Sequence, residues 1–343
     1  MRAALEPDSR NVVHLAILIV AVAVTWLIAS RYHRQLDVYQ AVSEIEFADP
    51  VLARCVADTA IAREWVEVGQ FSSLRCNNPT ETGINNLSGL EHIVALRELN
   101  LAFNDIEDVS PIAKLSNLVV LELSHNRIRS LPALSSAATL QRLELNFNQL
   151  DDVEWLQADS YSIIYGLSLA HNRISDVTPL SKMGSLIELN LRGNRIQNLD
   201  SLSLLTKLDT LDVGENFIND ISELGDMSGL RRLFIDANRV TTLESLSGLN
   251  GLERLVAGFN PLNSSNGLSG LVQLQRLDLR NTGIKQLDEV LNLGEIEELN
   301  ITDNPVLDCA AIRQARVEFG VRAVFADERC GVNAQSVEGA VAD

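Results

Sequence analysis

Four cysteines are the residues of this chain best suited to covalent chemistry. Cys55 and Cys76 lie 21 residues apart towards one end, and Cys309 and Cys330 have the same separation towards the other. Neither pair has a CxxC or other metal-ligand spacing, so a zinc site is not expected. Two chemistries remain open at this point: a disulfide within each pair, or four buried free thiols in a reducing compartment.

The histidines give no sign of a catalytic site, because none of the five has an evident nucleophile partner. His125 and His171 are two units of a repeat apart, roughly 10 Å. Metal–nitrogen bonds are about 2.0 to 2.1 Å long, so these two side chains cannot share an ion without distortion. The glycines recur in register with the repeat, on turns, and form no phosphate-binding loop. We therefore expect no catalysis, no metal and no cofactor.

Charge and composition narrow the class of partner. The chain has 343 residues, with 46 Asp plus Glu against 28 Lys plus Arg, a formal net charge of -18. Such an acidic chain repels phosphate backbones, so nucleic-acid binding is not expected. Hydrophobic residues make up 46% of the chain but aromatic residues only 5%, so the apolar content is aliphatic. This composition favours an internal repeat over a compact enzyme.

Residues 12–30 contain no fully charged side chain and suit a membrane. As a helix they would extend about 28 Å, close to the bilayer core of about 30 Å. The segment is longer than the apolar region of a signal peptide and has no convincing cleavage site. We predict an uncleaved transmembrane helix or signal anchor in preference to a removed signal peptide. Arg31 and Arg34 behind it weakly favour a cytosolic C-terminal domain.

A column of asparagines at steps of 22 residues, with one step of 24, organises the rest of the chain. Its members are Asn104, Asn126, Asn148, Asn172, Asn194, Asn216, Asn238, Asn260 and Asn304, with Thr282 in the remaining slot. A leucine frame moves with the column. Leu121 and Leu123 have the period of two that a strand needs, with Glu122 facing outward between them. Buried asparagine amides that bond to the turning backbone explain the column structurally, so it is not a binding site.

Ten such units stack into a parallel sheet along one side of a solenoid. The remainder of each unit is too short for a long helix, so 3₁₀ turns and short helices are expected on the convex side. The pattern resembles the leucine-rich repeat over about residues 47–330, and it implies an α/β leucine-rich repeat solenoid. The unit length and the Asp-hydrophobic-Ser/Thr-Pro-hydrophobic phrase at residues 108–112 and 176–180 resemble the internalin-type repeat and the short-repeat regulators of type-one protein phosphatase. Both are binding scaffolds without catalysis.

Both ends of the array look capped. Asp49 is a good N-cap, and Pro50 suits the first turn of a helix. At the other end a helix is expected from Cys309 to Phe319, then a short strand at residues 321–325. The cysteines fall two in each cap, and closing each loop with a disulfide would contribute about 3 kcal/mol. Such caps resemble those of exported leucine-rich repeat proteins.

The cysteines indicate an oxidising compartment, whereas the arginines behind the apolar segment indicate the cytosol. We give the cysteines more weight, because long domains translocate largely regardless of flanking charge. We expect the repeats to face a periplasm or the outside, near the membrane. The predicted division is a leader (1–11), a transmembrane helix (12–30), a stalk (31–46), an N-terminal cap with an irregular first repeat (47–95), the repeats (96–308), a C-terminal cap (309–330) and a disordered tail (331–343).

The variable strand positions of the sixth to ninth units predict a partner-binding face. Arg232, Arg254 and Arg276 form a basic ladder about 10 Å long. Phe234 and Val256 are apolar where polar residues are expected, and arginine with aromatic residues is typical of interface hot spots. The full predicted set is Asp212, Arg232, Phe234, Asp236, Arg254, Val256, Arg276, Asp278 and Arg280, with Thr210 beside it. Alternatively, the arginines only neutralise neighbouring acids: Asp212, Asp236, Glu253 and Asp278.

Two further features allow a structural or a binding interpretation. Aromatic residues precede the asparagines at Phe103, His125, Phe147, His171 and Phe259. We favour a spine that packs between coils over a contact surface. The two-residue insertion in the fourth unit lies near Trp155, Tyr161 and Tyr165. It forms either a contact patch for a partner or a repaired repeat, in which the extra residues are only accommodated within the packing of the unit. The repaired repeat is favoured.

The sequence therefore predicts a membrane-anchored, non-catalytic scaffold. Acting as a monomer, it would bind another protein or a cell-envelope component through its concave face. The resemblance leaves two alternatives, a cytosolic-facing regulatory subunit of an enzyme such as a phosphatase and a surface adhesion protein. No LPxTG sorting signal follows the array, in contrast to the internalins.

Overall fold

The computed structural model of the chain describes residues 44–330, apart from residues 66, 78–81, 133, 135–137, 158–160, 162, 263, 295, 321–322 and 328–329. The predicted leader, membrane helix and tail, and the predicted stalk up to residue 43, lie outside these residues. Within the described part, no helix has the length and apolar character needed to cross a membrane.

One parallel sheet runs through the described chain. Twelve short strands follow one another in sequence order, and each pairs with the next. The strands are β1 (Ser73–Arg75), β2 (Glu98–Asn100), β3 (Val120–Glu122), β4 (Arg142–Glu144), β5 (Gly166–Ser168), β6 (Glu188–Asn190), β7 (Thr210–Asp212), β8 (Arg232–Phe234), β9 (Arg254–Val256), β10 (Arg276–Asp278), β11 (Glu298–Asn300) and β12 (Val324–Phe325).

The leucine frame forms the core, as the period of two predicts. Leu121 and Leu123 are fully buried, whereas Glu122 between them is partly exposed. In-register pairing places Leu121 between Leu99 and Leu143 of the neighbouring strands. Burial of one leucine side chain contributes about 1.5 to 3 kcal/mol. Because each unit adds its own leucines, the core grows with the number of stacked coils.

The asparagine column holds successive coils together. The Asn126 Oδ1 accepts a hydrogen bond from the backbone N–H of Ile106 at 3.0 Å. Its Nδ2 donates to the carbonyl oxygens of Leu101 and Leu123, one in the preceding coil and one in its own. The structural role predicted for the column is confirmed. In the exceptional unit, the Thr282 hydroxyl donates to the carbonyl three residues before it, at 2.8 Å.

Short 3₁₀ helices connect most strands to the next, on the side of the units opposite the sheet. The Asp-hydrophobic-Ser/Thr-Pro-hydrophobic motif explains how two of these helices begin. The Asp108 Oδ1 accepts a hydrogen bond from the Ser110 N–H at 2.8 Å, and Pro111 occupies the first turn. Asp176 caps Thr178 in the same way. The 3₁₀ helices are Val68–Gln70, Leu90–His92, Ser110–Lys114, Glu154–Gln157, Thr178–Lys182, Asp200–Leu204, Ser222–Asp226, Glu244–Gly248 and Val290–Asn292. They confirm the prediction for this side.

An α-helix, α1 (Pro50–Arg63), covers the first coil. The Asp49 carboxylate caps it by accepting hydrogen bonds from two backbone N–H groups of the first turn, at 2.8 and 3.2 Å. Leu52 and the next apolar residues on its buried face pack against the core. A disulfide between Cys55 and Cys76 joins this helix to the chain that leaves β1.

A second α-helix, α2 (Cys309–Phe319), closes the other end and has the predicted bounds. Asp308 caps it through the Ala310 N–H at 3.0 Å. A disulfide joins Cys309 to Cys330. The strand predicted for residues 321–325 is confirmed at its C-terminal end, in β12. Both predicted disulfides are therefore present, and the alternative of four free thiols is wrong.

Candidate functional site

The concave face consists of the first and third residues of each strand, because the second points into the core. Parallel pairing places Arg232, Arg254 and Arg276 side by side on β8, β9 and β10. Strands lie about 4.8 Å apart, so this row extends over about 10 Å. The other predicted residues lie in the same rows or two residues beyond them: Asp212, Phe234, Asp236, Val256, Asp278 and Arg280.

Two arginines of the predicted ladder have acidic neighbours that the sequence argument did not name. The Arg232 guanidinium bonds to Asp209 at 2.7 Å, and this hydrogen bond raises the pKa of Arg232. Asp209 also lies 3.7 Å from Arg231. Arg276 lies 3.9 Å from Glu298, a long and exposed pair. Carboxylates therefore neutralise part of the ladder, but they are Asp209 and Glu298 and not the four acids that the alternative named.

Arg192 is a functional candidate that the sequence argument missed. Its guanidinium binds Asp236, which is nearly buried, and also contacts Asp212 at 3.4 Å and Glu215 at 3.0 Å. Its pKa is raised, chiefly by the hydrogen bond to Asp236. To reach Asp236 two units away, the side chain crosses Gly214, where an added Cβ would lie only 2.5 Å from the guanidinium. Asp212 and Asp236 thus form ion pairs with Arg192 and do not neutralise the arginines of the ladder.

Arg254 differs from its neighbours. No carboxylate in the described part of the chain forms an ion pair with it, and its guanidinium instead lies 5.2 Å from the centroid of the Phe234 ring. Val256 stands beside Phe234 in the third-position row. These side chains help to line a depression of about 190 Å³ on the concave face. An arginine stacked on an aromatic ring beside an apolar side chain has the composition of a binding hot spot.

Towards the N-terminal end the same face is acidic. Glu122 and Glu144 are register partners on β3 and β4. Burial, together with Glu144, raises the pKa of Glu122 to about 6. Arg142 offers partial compensation, since it lies 3.5 Å from Glu144 and 2.9 Å from Glu188. This end of the face therefore carries an excess of carboxylate charge.

A depression of about 280 Å³ separates the acidic end from Phe234. It exists because β5 presents only Gly166 and Ser168 to the concave face. The Arg142 side chain reaches across β5 to Glu188, and an added Cβ on Gly166 would meet its guanidinium carbon at 3.4 Å. The short residues of β5 were visible in the sequence, but the ion pair across them depends on side-chain reach.

The aromatic column stacks between coils, as the favoured structural interpretation predicts, but it does so at the surface. The rings of Phe103, His125, Phe147 and His171 lie face to face, with centroids 4.2 to 4.3 Å apart. All four residues have φ between 54 and 59°, in the left-handed region. Phe103 and Phe147 remain 50% and 46% exposed. Burial, with His171 nearby, lowers the pKa of His125. The stack ends at Gly193, which has no side chain to continue it.

The insertion in the fourth unit packs inward. Tyr161 is fully buried, and its hydroxyl accepts a hydrogen bond from the Leu134 N–H at 2.9 Å. Trp155 packs edge-on against it, with centroids 5.6 Å apart. Tyr165 stays partly exposed, 5.7 Å below the Arg142 guanidinium. The described insertion residues therefore favour the repaired repeat over a contact patch.

Among the residues that the structure describes, no group of three or more His, Cys, Asp or Glu side chains could hold a metal ion. His125 and His171 have the Phe147 ring between them. The expectation of a chain without catalysis, metal or cofactor stays a prediction.

A family model described as Leucine Rich repeats (2 copies) matches residues 94–136 and 116–158. No curated protein sequence is significantly similar to the chain. Among solved structures, an internalin from Listeria monocytogenes aligns with a TM-score of 0.56 and 23% identity, over 84% of this chain and 97% of the internalin. Internalin C2 from the same organism aligns with a TM-score of 0.58 and 28% identity, over 63% of this chain and 96% of its own.

A plant structure also has the fold. The leucine-rich repeat ectodomain of a membrane receptor kinase from Arabidopsis thaliana, solved in complex with Casparian strip integrity factor 2, aligns with a TM-score of 0.51 and 22% identity. The alignment covers 64% of this chain and 31% of the ectodomain. At these identities the receptor and the first internalin share the fold alone with this chain.

Proposed function

We propose that this chain, whose described residues form the parallel-sheet solenoid of leucine-rich repeat proteins, is a non-catalytic scaffold that binds another protein through its concave face. Leucine-rich repeats fix the geometry of a surface and leave the choice of ligand to the variable residues. The predicted face carries such variable residues in register over four neighbouring strands.

The observation that carries this proposal is the pair Arg254 and Phe234. Most charges around it are already compensated within the chain, as in Arg232 with Asp209 and Arg192 with Asp236. Arg254 keeps its N–H donors without a carboxylate among the described residues, and its stacking on Phe234 holds it in place. A pre-positioned cation on an aromatic ring supplies both apolar area and directional hydrogen bonds to a partner.

We infer further that the repeats work in an oxidising compartment. Disulfides persist in periplasmic and extracellular proteins and are rare in the cytosol, and this chain forms one in each cap. We keep the predicted apolar segment at residues 12–30 as the membrane anchor of this proposal. The disulfides argue against the cytosolic-facing regulatory subunit.

An affinity capture from the native host's envelope extract, with the full chain as bait, tests the function. The double variant Arg254→Glu with Phe234→Ala should lose the captured protein while its melting temperature is unchanged. The matched control is Arg239→Glu with Phe217→Ala, since that pair forms a similar cation–π contact, 4.8 Å against 5.2 Å, outside the strand rows. If the first variant captures the same protein as the unaltered chain, the binding face has been placed wrongly.

A further inference from the structure

The concave face is divided by charge along the solenoid. On the first and third positions of β1–β7 there are two arginines, Arg75 and Arg142, against five carboxylates: Glu98, Glu122, Glu144, Glu188 and Asp212. On β8–β11 the balance is reversed, with two carboxylates, Asp278 and Glu298, against three arginines: Arg232, Arg254 and Arg276. A partner of uniform charge would be repelled by one of the two ends, so complementarity requires a partner with both signs.

The acidic end (β3 and β4) and the basic end (β8 and β9) of the concave face also hold charged side chains with few or no ion-pair partners. Glu122 has no ion pair among the described residues, and Glu144 has only the 3.5 Å contact with Arg142. Burial beside Glu144 raises the pKa of Glu122, so a cation placed there would relieve an unfavourable interaction. At the other end, the Arg254 guanidinium lies over the Phe234 ring and forms no ion pair with a carboxylate of the described residues.

The distance between these ends fits an extended chain. The β3–β4 pair and the β8–β9 pair are five strand intervals apart, about 24 Å at 4.8 Å per interval. A polypeptide in extended form covers this distance with about seven residues. Between the ends lies the depression at Gly166, which has room for a central side chain.

We propose that the concave face receives an extended segment of the partner protein, with cationic side chains against Glu122 and Glu144 and a carboxylate with an aromatic side chain against Arg254 and Phe234. This inference rests on the proposed function and specifies the chemistry of its partner. The depression at Gly166 takes a side chain from the middle of the segment. A uniformly acidic or uniformly basic partner does not fit this arrangement.

Two synthetic peptides of identical composition test the inference. Each has twelve residues: two lysines, one central tyrosine, one phenylalanine, two aspartates and a Gly/Ser spacer. In the first, the lysines and the Phe-Asp-Asp group lie at opposite ends, seven residues apart; in the second, the lysines and aspartates alternate. The full chain in a non-ionic detergent is titrated into each labelled peptide, and binding is followed by fluorescence anisotropy. We expect the charge-separated peptide to bind at least about fivefold more tightly.

The variant Glu122→Gln with Glu144→Gln should weaken binding of the charge-separated peptide about fivefold and leave the alternating peptide unaffected. The matched control, Glu107→Gln with Glu244→Gln, removes two exposed carboxylates outside the strand rows and should change neither affinity. Equal binding of the two peptides, no detectable binding of either, or indifference to the Glu122 and Glu144 substitutions overturns the inference. The proposed function is judged separately, by whether Arg254 and Phe234 are needed for capture of the native partner.

Discussion

The guanidinium carbon of Arg254 lies 5.2 Å from the centroid of the Phe234 ring, across the β8–β9 pair. Such a contact is worth about 0.5 to 1 kcal/mol at an exposed site. It holds both side chains in position before any partner arrives, and this reduces the ordering cost of binding. The guanidinium N–H groups of Arg254 are bonded to no carboxylate of the described chain, and the guanidinium lies over the Phe234 ring. These N–H groups can therefore donate hydrogen bonds to a carboxylate of the partner.

We expect Arg254→Ala and Phe234→Ala each to lower affinity for the captured partner about thirtyfold, since hot-spot truncations cost about 2 kcal/mol. The double variant should lose less than the sum of the single losses, because each substitution already removes the stacked contact. Isothermal titration of the single and double variants measures this coupling. Strictly additive losses would mean that the stacking does not prepare the site for binding.

The asparagine column should contribute measurably to the local stability of each coil. In Asn216→Ala, the N–H of Ile196 loses its partner in the core. The carbonyls of Leu191 and Val213 each lose one donor but keep a second, the side-chain amides of the neighbouring column residues Asn194 and Asn238. One unsatisfied buried group costs about 1 to 3 kcal/mol, so we expect a loss of about 2 kcal/mol in urea unfolding.

The substitution Asn216→Thr supplies the comparison, because a threonine already fills this slot at Thr282 and its hydroxyl donates to a carbonyl of its own coil. We expect this variant to recover about 1 kcal/mol relative to alanine. If alanine and threonine destabilise the protein equally, the side-chain hydrogen bonds are not what holds the coils.

The repeat could be predicted from the sequence because its determinants are local and periodic. Leu121 is buried and Glu122 is partly exposed because alternation fixes the direction of each side chain in a strand. The bounds of the cap helix α2 (Cys309–Phe319) also follow from the local sequence pattern. Strand register places Arg232 beside Arg254 without any knowledge of side-chain conformations.

Interactions that depend on the reach of long side chains could not be predicted in this way. Arg192 crosses Gly214 to bind Asp236 two units away, and Arg142 crosses Gly166 to bind Glu188. Spacing by repeat units indicates which residues share a surface, but not which partner a flexible guanidinium selects. The exposure of Phe147 was missed for a related reason, since a left-handed turn directs its side chain outward at the edge of the coil.

The cap disulfides should contribute to stability and report the compartment. Each closes a loop with a sequence separation of 21, for which the chain-entropy model gives about 3 kcal/mol. We expect Cys55→Ser with Cys76→Ser to lower the free energy of unfolding by about that amount. Protein isolated from its native host without reductant should contain no titratable thiol.

A reporter that is active only after export, fused behind Asp343, gives an independent measurement of topology. We expect activity, because a domain that forms both disulfides must reach an oxidising compartment. An inactive reporter together with four free thiols in the native protein would contradict export of the repeats. That result would support the alternative function, a cytosolic-facing regulatory subunit of an enzyme.

Glu122 should make the protein less stable at neutral pH than in mild acid. Its pKa rises from 4.5 to about 6 on folding, through burial and the neighbouring Glu144. The folded state therefore binds more protons between these values, and its stability falls as the pH rises through that window.

In Glu122→Gln the penalty is removed, so the variant should be more stable than the unaltered chain at pH 8, by up to about 1 kcal/mol after allowance for partial solvent exposure. The gain should vanish near pH 4, and Glu107→Gln, at an exposed position outside the strand rows, is the matched control. Thermal unfolding followed by circular dichroism at the two pH values measures both, and an equal gain at pH 4 and pH 8 would remove the electrostatic explanation.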